Sequence, residues 1–251
     1  FLDDGTAVGT REELQKVVDI VEREGASRGL VLSTAATAKA PSRPKSTVWS
    51  PLLQDQAEEQ DPLHRGVPVV NEAGVTLLGA PIGSQDFVRG ELKSKVEKIR
   101  KIVELLPSIQ DPHTQFVLLR SCQSLPKLSF ILQTTDTSPC NDILQEFDRL
   151  VRCALSSILG AAQTDLQWRQ ASLPVSMGGL GLRGAEEHGP GLYCSSVTSS
   201  LSLARTLQGI QQDSTTPNPL SQDVLAAVSA QVGEEVTYES VSEMSQKVLS
   251  L

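Results

Sequence analysis

VVNEAGVTLLGAPIGSQDFVRGELKSKVEKIRKIVELL, residues 69–106, changes its hydrophobic period halfway along, and that change decides the fold class. The first half reads as a β-hairpin. Val69 and Val70 lead to a turn over Asn71 to Gly74, and Val75, Leu77 and Leu78 return before a Gly-Pro-Gly break. In the second half Leu92, Val96, Ile99, Val103 and Leu106 recur at helical spacing and define one buried face. Short strands before this point and helices after it predict an α+β chain.

Upstream, FLDDGTAVGT (residues 1–10) reads as another hairpin, with Asp4-Gly5 as the turn and Thr6, Ala7 and Val8 returning. Thr10 caps a helix carrying Glu12 and Glu13 in its first turn, with an apolar stripe of Leu14, Val17, Val18 and Val21 and a stop at Gly25. GLVL (29–32) and KSTVWS (45–50) read as short strands in a stretch rich in Pro, Ala and Ser. Downstream, Asp111-Pro112 opens a helix through Leu118 and Cys122. Ile143, Phe147, Leu150, Val151, Ala154, Leu155 and Ile158 give the clearest amphipathic helix, ended by Gly160. Two more helices are expected near Ala185–Gln208 and Pro219–Val232 in a Ser-rich tail.

With 251 residues, 39% hydrophobic and 21% charged, the chain has the composition of a soluble protein able to bury a core. The net charge of −8 argues against a generally basic surface, and 4% aromatics argues against an extended base-stacking platform. Cys122, Cys140, Cys153 and Cys194 form no C-x-x-C pair, and His64, His113 and His188 are scattered. This suggests neither a zinc finger nor a disulfide framework, and points to a reducing, intracellular setting (nucleus or cytoplasm). No apolar run is long enough to span a bilayer, so no membrane partner is expected. The chain opens inside what reads as a strand, without an initiator methionine, and so reads as part of a longer polypeptide.

The adjacent aspartates need a further explanation. A tight turn requires only Asp4-Gly5, and a second carboxylate at Asp3 repels the first unless a divalent cation offsets their charge. FLDDG resembles the Tyr/Phe-x-Asp-Asp signature of the reverse transcriptase palm. The segments that follow resemble that family in the same order. GLVLS is similar to its Gly-Leu-x-Leu-Asn segment, with Ser33 in place of Asn, and PKSTVW (44–49) to its lysine-bearing segment. TLLGAPIG (76–83) resembles the primer-grip hairpin. LLRSCQSLPKLSF (118–130) and WRQASLPVSMGGLGLR (168–183) resemble the thumb and post-thumb region of retrotransposon, non-LTR-like enzymes.

The resemblance implies residues 1–86 as the end of a polymerase palm, 87–183 as a helical thumb and post-thumb region, and 184–251 as a partly helical tail. It implies Asp3 and Asp4 as catalytic ligands of Mg²⁺, or of Mn²⁺ in its place. Lys45 would be the catalytic lysine near the triphosphate, with Lys39 competing for that role, and Leu78 and Gly79 would lie at the primer grip. The implied activity is RNA-directed DNA polymerisation, with an RNA or DNA template, a primer and deoxynucleoside triphosphates as partners. The fingers and a further palm aspartate are expected upstream of Phe1, so the isolated chain is expected not to polymerise. The competing reading is a non-catalytic remnant or helical interaction module derived from a retroelement.

The residues themselves supply an electrostatic candidate. Arg89, Lys93, Lys95, Lys98, Arg100 and Lys101 cluster within an acidic chain, and helical projection turns Lys93, Lys98 and Lys101 away from the apolar face toward a phosphate backbone. The alternative is a solvated face in which Glu97 and Glu104 pair with these bases.

Overall fold

The computed structural model describes residues 5–33, 46–50, 67, 73–208, 220–237 and 240–241. It has an α+β layout, mostly helical with a single two-stranded antiparallel sheet among the described residues. The chain divides into two compact units, 1–75 and 76–251.

In the first unit, α1 (Arg11–Gly25) starts as its sequence predicts. Thr10 and Glu13 form a capping box, each side chain bonding the other's backbone N–H. The α-helix ends at Gly25, as expected. The chain continues through a 3₁₀ turn, Ala26–Arg28, to Gly29 at φ 76°, where Gly29 N–H donates to Ala26 O and Leu30 N–H donates to Gly25 O. This is a Schellman closure, and only a residue tolerant of left-handed geometry suits its apex. It also corrects the expected GLVL strand. The Leu30 amide is committed to the helix end, residues 30–33 form no strand, and Val31 is 74% exposed. Residues 5–8, expected to return from the first hairpin, are not strand either, and Val8 is 95% exposed. Among the described residues 46–50 of KSTVWS, Val48 alone makes an isolated β-bridge.

The second unit opens inside β1 (Gly74–Leu77), which pairs with β2 (Ala80–Gly83). The turn of this hairpin lies at Leu78-Gly79, and Ala80–Gly83 of the presumed Gly-Pro-Gly break is itself the second strand, whereas Val69, Val70, Asn71 and Glu72 of the expected hairpin lie outside the described residues. Leu78 (φ 50°) and Gly79 (φ 90°) both have positive φ, the mark of a type I′ turn whose twist matches its strands. Pro81 is tolerated because a two-stranded ladder leaves one side of each strand unpaired.

The hairpin leads into α2 (Gln85–Val103), whose N-cap Ser84 Oγ accepts from Phe87 N–H at 3.2 Å. The predicted stripe Leu92, Val96, Ile99, Val103 and Leu106 is buried throughout. Asp111 caps α3 (Pro112–Leu118), accepting from Thr114 N–H at 2.9 Å. The helix then widens into a π turn over Leu119–Gln123 instead of running on as α to Cys122. Next comes α4 (Leu125–Thr134), with Pro126 in its first turn, followed by α5 (Asn141–Leu159), which Gly160 ends as expected. Leu128, Ile131 and Leu132 of α4 and Leu144, Phe147 and Leu155 of α5 are almost fully buried and share one core with α2.

After α6 (Asp165–Ser172) the chain doubles back tightly. Gly179 N–H donates to Pro174 O, Gly181 N–H to Leu173 O, and Leu180 and Leu182 N–H both to Ala171 O. The GGLGL stretch therefore has a structural role. A Cβ on Gly179 would stand 2.0 Å from Leu173 O, which only glycine avoids.

The long helix α7 (Ala185–Gln208) packs on α4 and α5, and α8 (Gln222–Val232) packs on α7. A second small core forms there from Cys194, Leu220, Val224, Val228, Val236 and Val241. Asp136 links it to the main bundle, accepting from Ser221 Oγ at 2.9 Å and from Ser138 N–H at 3.0 Å. The start of α7 is held from outside. Asp148 of α5 accepts from Ala185 N–H (2.7 Å) and Glu186 N–H (3.1 Å), satisfying amides that a helix start leaves orphaned.

Two predictions follow from these contacts. Gly179→Ala forces a backbone clash and should cost about 3 kcal/mol, whereas Gly90→Ala, inside α2 with nothing within 4 Å, should gain roughly 0.5–1 kcal/mol. Urea unfolding of both variants checks the opposite signs. For Asp148, burial raises the carboxyl from 3.8 to about 6, against the two amide hydrogen bonds that lower it. A carboxyl raised in the fold binds its proton more tightly there than in the unfolded chain. Its contribution is therefore fully present below about pH 4 and is lost as pH rises through about 6. The stability of the wild type relative to Asp148→Asn should fall by roughly 1–3 kcal/mol across that window. A pH-independent difference would mean that Asp148 titrates as an ordinary aspartate.

Candidate nucleic-acid interface

Asp3, Asp4 and Lys45, with its competitor Lys39, lie outside the described residues. Among the described residues no group of three or more His, Cys, Asp or Glu is arranged to hold a metal ion, and no helix is long and apolar enough to cross a membrane. All four cysteines are free thiols.

The remaining candidates fall in the second unit. Leu78 and Gly79 form the hairpin tip. Leu78 is 82% exposed while holding a left-handed backbone, a conformation that costs a non-glycine residue roughly 1–2 kcal/mol. A Cβ on Gly79 would meet the Phe130 ring at 3.5 Å, so the tip lies against α4. Lys93, Lys98 and Lys101 are exposed on α2, as projection predicts.

The ion pairs on α2 are divided unevenly. Arg89 forms a two-pronged pair with Asp142 of α5, with Nη1 to Oδ1 at 2.8 Å. That hydrogen bond lowers the Asp142 carboxyl and raises the guanidinium. Arg100 binds Glu97 at 3.2 Å on its own helix and Glu146 on α5. The lysines of α2 make no ion pair with any described residue. Glu97 is thus engaged by Arg100 and not by a lysine, which removes one of the two glutamates invoked for a self-neutralised face.

No protein family, curated protein or solved structure matches this chain.

The lysines do not act as one row. Lys98 turns toward a cavity beside Gly79, together with Lys95 of α2 and Lys127 of α4, whereas Lys93 and Lys101 do not line it. Sequence reasoning places Lys95 in the basic cluster without assigning it a contact, and misses Lys127, for different reasons. Lys95 precedes Val96 on the helix, so projection puts it at the margin of the apolar face, and it is half-buried there. Burial, and then the charge of Lys127, pull its ammonium below its ordinary value. Lys127 sits in α4, whose start is marked by the Ser124-Leu125-Pro126 signal that was read only as part of a longer segment.

Proposed function

We propose that this chain is the palm end and helical thumb of a retrotransposon-type reverse transcriptase, an RNA-directed DNA polymerase that extends a primer 3′ hydroxyl on an RNA or DNA template. The order of the segments carries the reading: FLDDG, GLVLS, PKSTVW, TLLGAPIG and the two thumb-like stretches follow one another as in that family. Further support comes from the hairpin at 74–83, which runs straight into a helix whose arginines are engaged internally and whose lysines have no described partner. Free ammonium groups beside a turn are what a polyanion's backbone needs.

Asp3 and Asp4 are the residues that would hold Mg²⁺ or Mn²⁺, since paired carboxylates are the hard oxygen donors such ions prefer. When bound, the metal supplies charge neutralisation at phosphoryl oxygens. Lys45 would place its Nζ near the departing pyrophosphate as a proton or charge donor. Leu78 and Gly79 would let the primer backbone approach closely, and Lys93, Lys98 and Lys101 would hold duplex phosphates.

Two measurements test this reading. In a polypeptide that also carries the fingers and the rest of the palm, Asp3→Asn or Asp4→Asn should slow primer extension by orders of magnitude and leave primer–template affinity intact. Near wild-type extension by both variants would sink the metal-ligand role. Separately, replacing Lys93, Lys98 and Lys101 with Gln should flatten the plot of log K against log[salt] for primer–template by roughly 2 to 3 units, at about 0.9 per duplex phosphate contact. An unchanged slope would take α2 out of the nucleic-acid path and favour the helical interaction module.

A further inference from the structure

The cavity beside Gly79 has a chemistry of its own. It measures about 360 Å³, within the range of about 300–1,000 Å³ usual for small-ligand sites. Its floor is apolar, made by Pro81 of β2, Ile99 and Ile102 of α2, and Ile131 of α4. Around that floor stand Lys95, Lys98 and Lys127, from two helices, with Glu91 the one carboxylate among the lining residues. None of the three lysines has a described anionic partner, and Lys95 and Lys127 are close enough to depress the Lys95 ammonium.

Each part of this lining constrains the ligand. Three cations around one hollow repel one another, and an anion placed among them turns that repulsion into attraction. A bare anion does not use an apolar floor, and a purely apolar ligand does not use the lysines. The lining therefore suits an anion with an apolar body. Glu91 opposes an anion but accepts well from a hydroxyl, so it selects a body that carries one.

We propose that this cavity binds a nucleotide, with its phosphate among Lys95, Lys98 and Lys127, its base on the floor of Ile99, Ile102 and Ile131, and a sugar hydroxyl donating to Glu91. The nucleotide is either free or the 3′-terminal unit of a single strand, because both present a phosphate, a base and a free sugar hydroxyl. The proposal does not depend on the polymerase reading, which assigned neither Lys95 nor Lys127.

The test uses the full chain, titrated calorimetrically with adenosine 5′-monophosphate, adenosine, inorganic phosphate and a short oligodeoxynucleotide with a free 3′ hydroxyl, while isotope-labelled isoleucine methyls are followed by NMR. The monophosphate should bind at least tenfold more tightly than adenosine or phosphate and shift the Ile99, Ile102 and Ile131 methyls. Lys95→Gln and Lys127→Gln should each weaken it about tenfold with unchanged circular dichroism. Glu91→Gln should reduce the preference for adenosine monophosphate over its 2′,3′-dideoxy analogue. If the oligonucleotide binds more tightly, shifts the same methyls and displaces the monophosphate, the strand end is the natural source. Phosphate binding as tightly as the monophosphate, methyl shifts elsewhere, or no binding by any probe would overturn the proposal. Lys95→Gln and Lys127→Gln leave the Lys93, Lys98 and Lys101 set intact, so an unchanged primer–template salt slope when that set is replaced would count against the polymerase reading, and unchanged monophosphate affinity in Lys95→Gln and Lys127→Gln would count against this site.

Discussion

Arg89 and Arg100 cross from α2 to Asp142 and Glu146 of α5, and much of what the helical unit presents to solvent depends on that crossing. The two acidic residues are spaced by four, so they share one face of α5, and the two arginines reach that face from the edge of the buried stripe on α2. Guanidinium groups suit carboxylates because their planar fork can make two parallel bonds, and the Arg89 pair does so. Exposed pairs of this kind add little stability. Their consequence is distribution: the arginines use the nearby carboxylates, and the lysines of the same helix are left without an ion pair to any described residue. An Arg-to-Lys exchange on α2 would conserve net charge and change which cations are available.

The elements that could be read from the sequence are those whose identity depends on one helix alone. The stripe from Leu92 to Leu106, the stripe from Ile143 to Ile158, and the caps at Thr10 and Asp111 are local patterns with a fixed period or a fixed spacing, and each holds in the structure. Strands are different because a strand is defined by its partner. GLVL has strand composition, yet the Leu30 amide goes to the helix end. The hairpin at 74–83 is legible through the TLLGAPIG resemblance, whereas the hydrophobic pattern alone puts Leu78 in a strand and the turn at Asn71 to Gly74. A leucine with φ 50° breaks the usual rule for turns, and no composition signal marks it.

The cavity follows the same logic. Lys98 was legible from helical projection, because it is an outward cation on a helix with a clear inside. Lys95 is ambiguous by projection, and Lys127 becomes relevant only once α4 packs beside α2 and β2. A site assembled from three elements carries no spacing rule. Its sequence signal is at most a set of lysines without i,i+4 acidic partners, which is weak by itself. Asp148 was invisible for the same reason: it caps a helix that begins thirty-seven positions later.

The acidic balance of −8 need not conflict with a site for phosphates, since the two act over different distances. At physiological ionic strength the Debye length is about 8 Å, so carboxylates spread over the rest of the surface are screened from a ligand seated in the cavity. Lys95, Lys98 and Lys127 act at contact range beside an apolar floor, where solvent screening is weaker and each interaction counts for more. The net charge then governs approach and the local lysines govern retention. A duplex held by Lys93, Lys98 and Lys101, as proposed, would be retained by the same contact-range attraction against an unfavourable net charge.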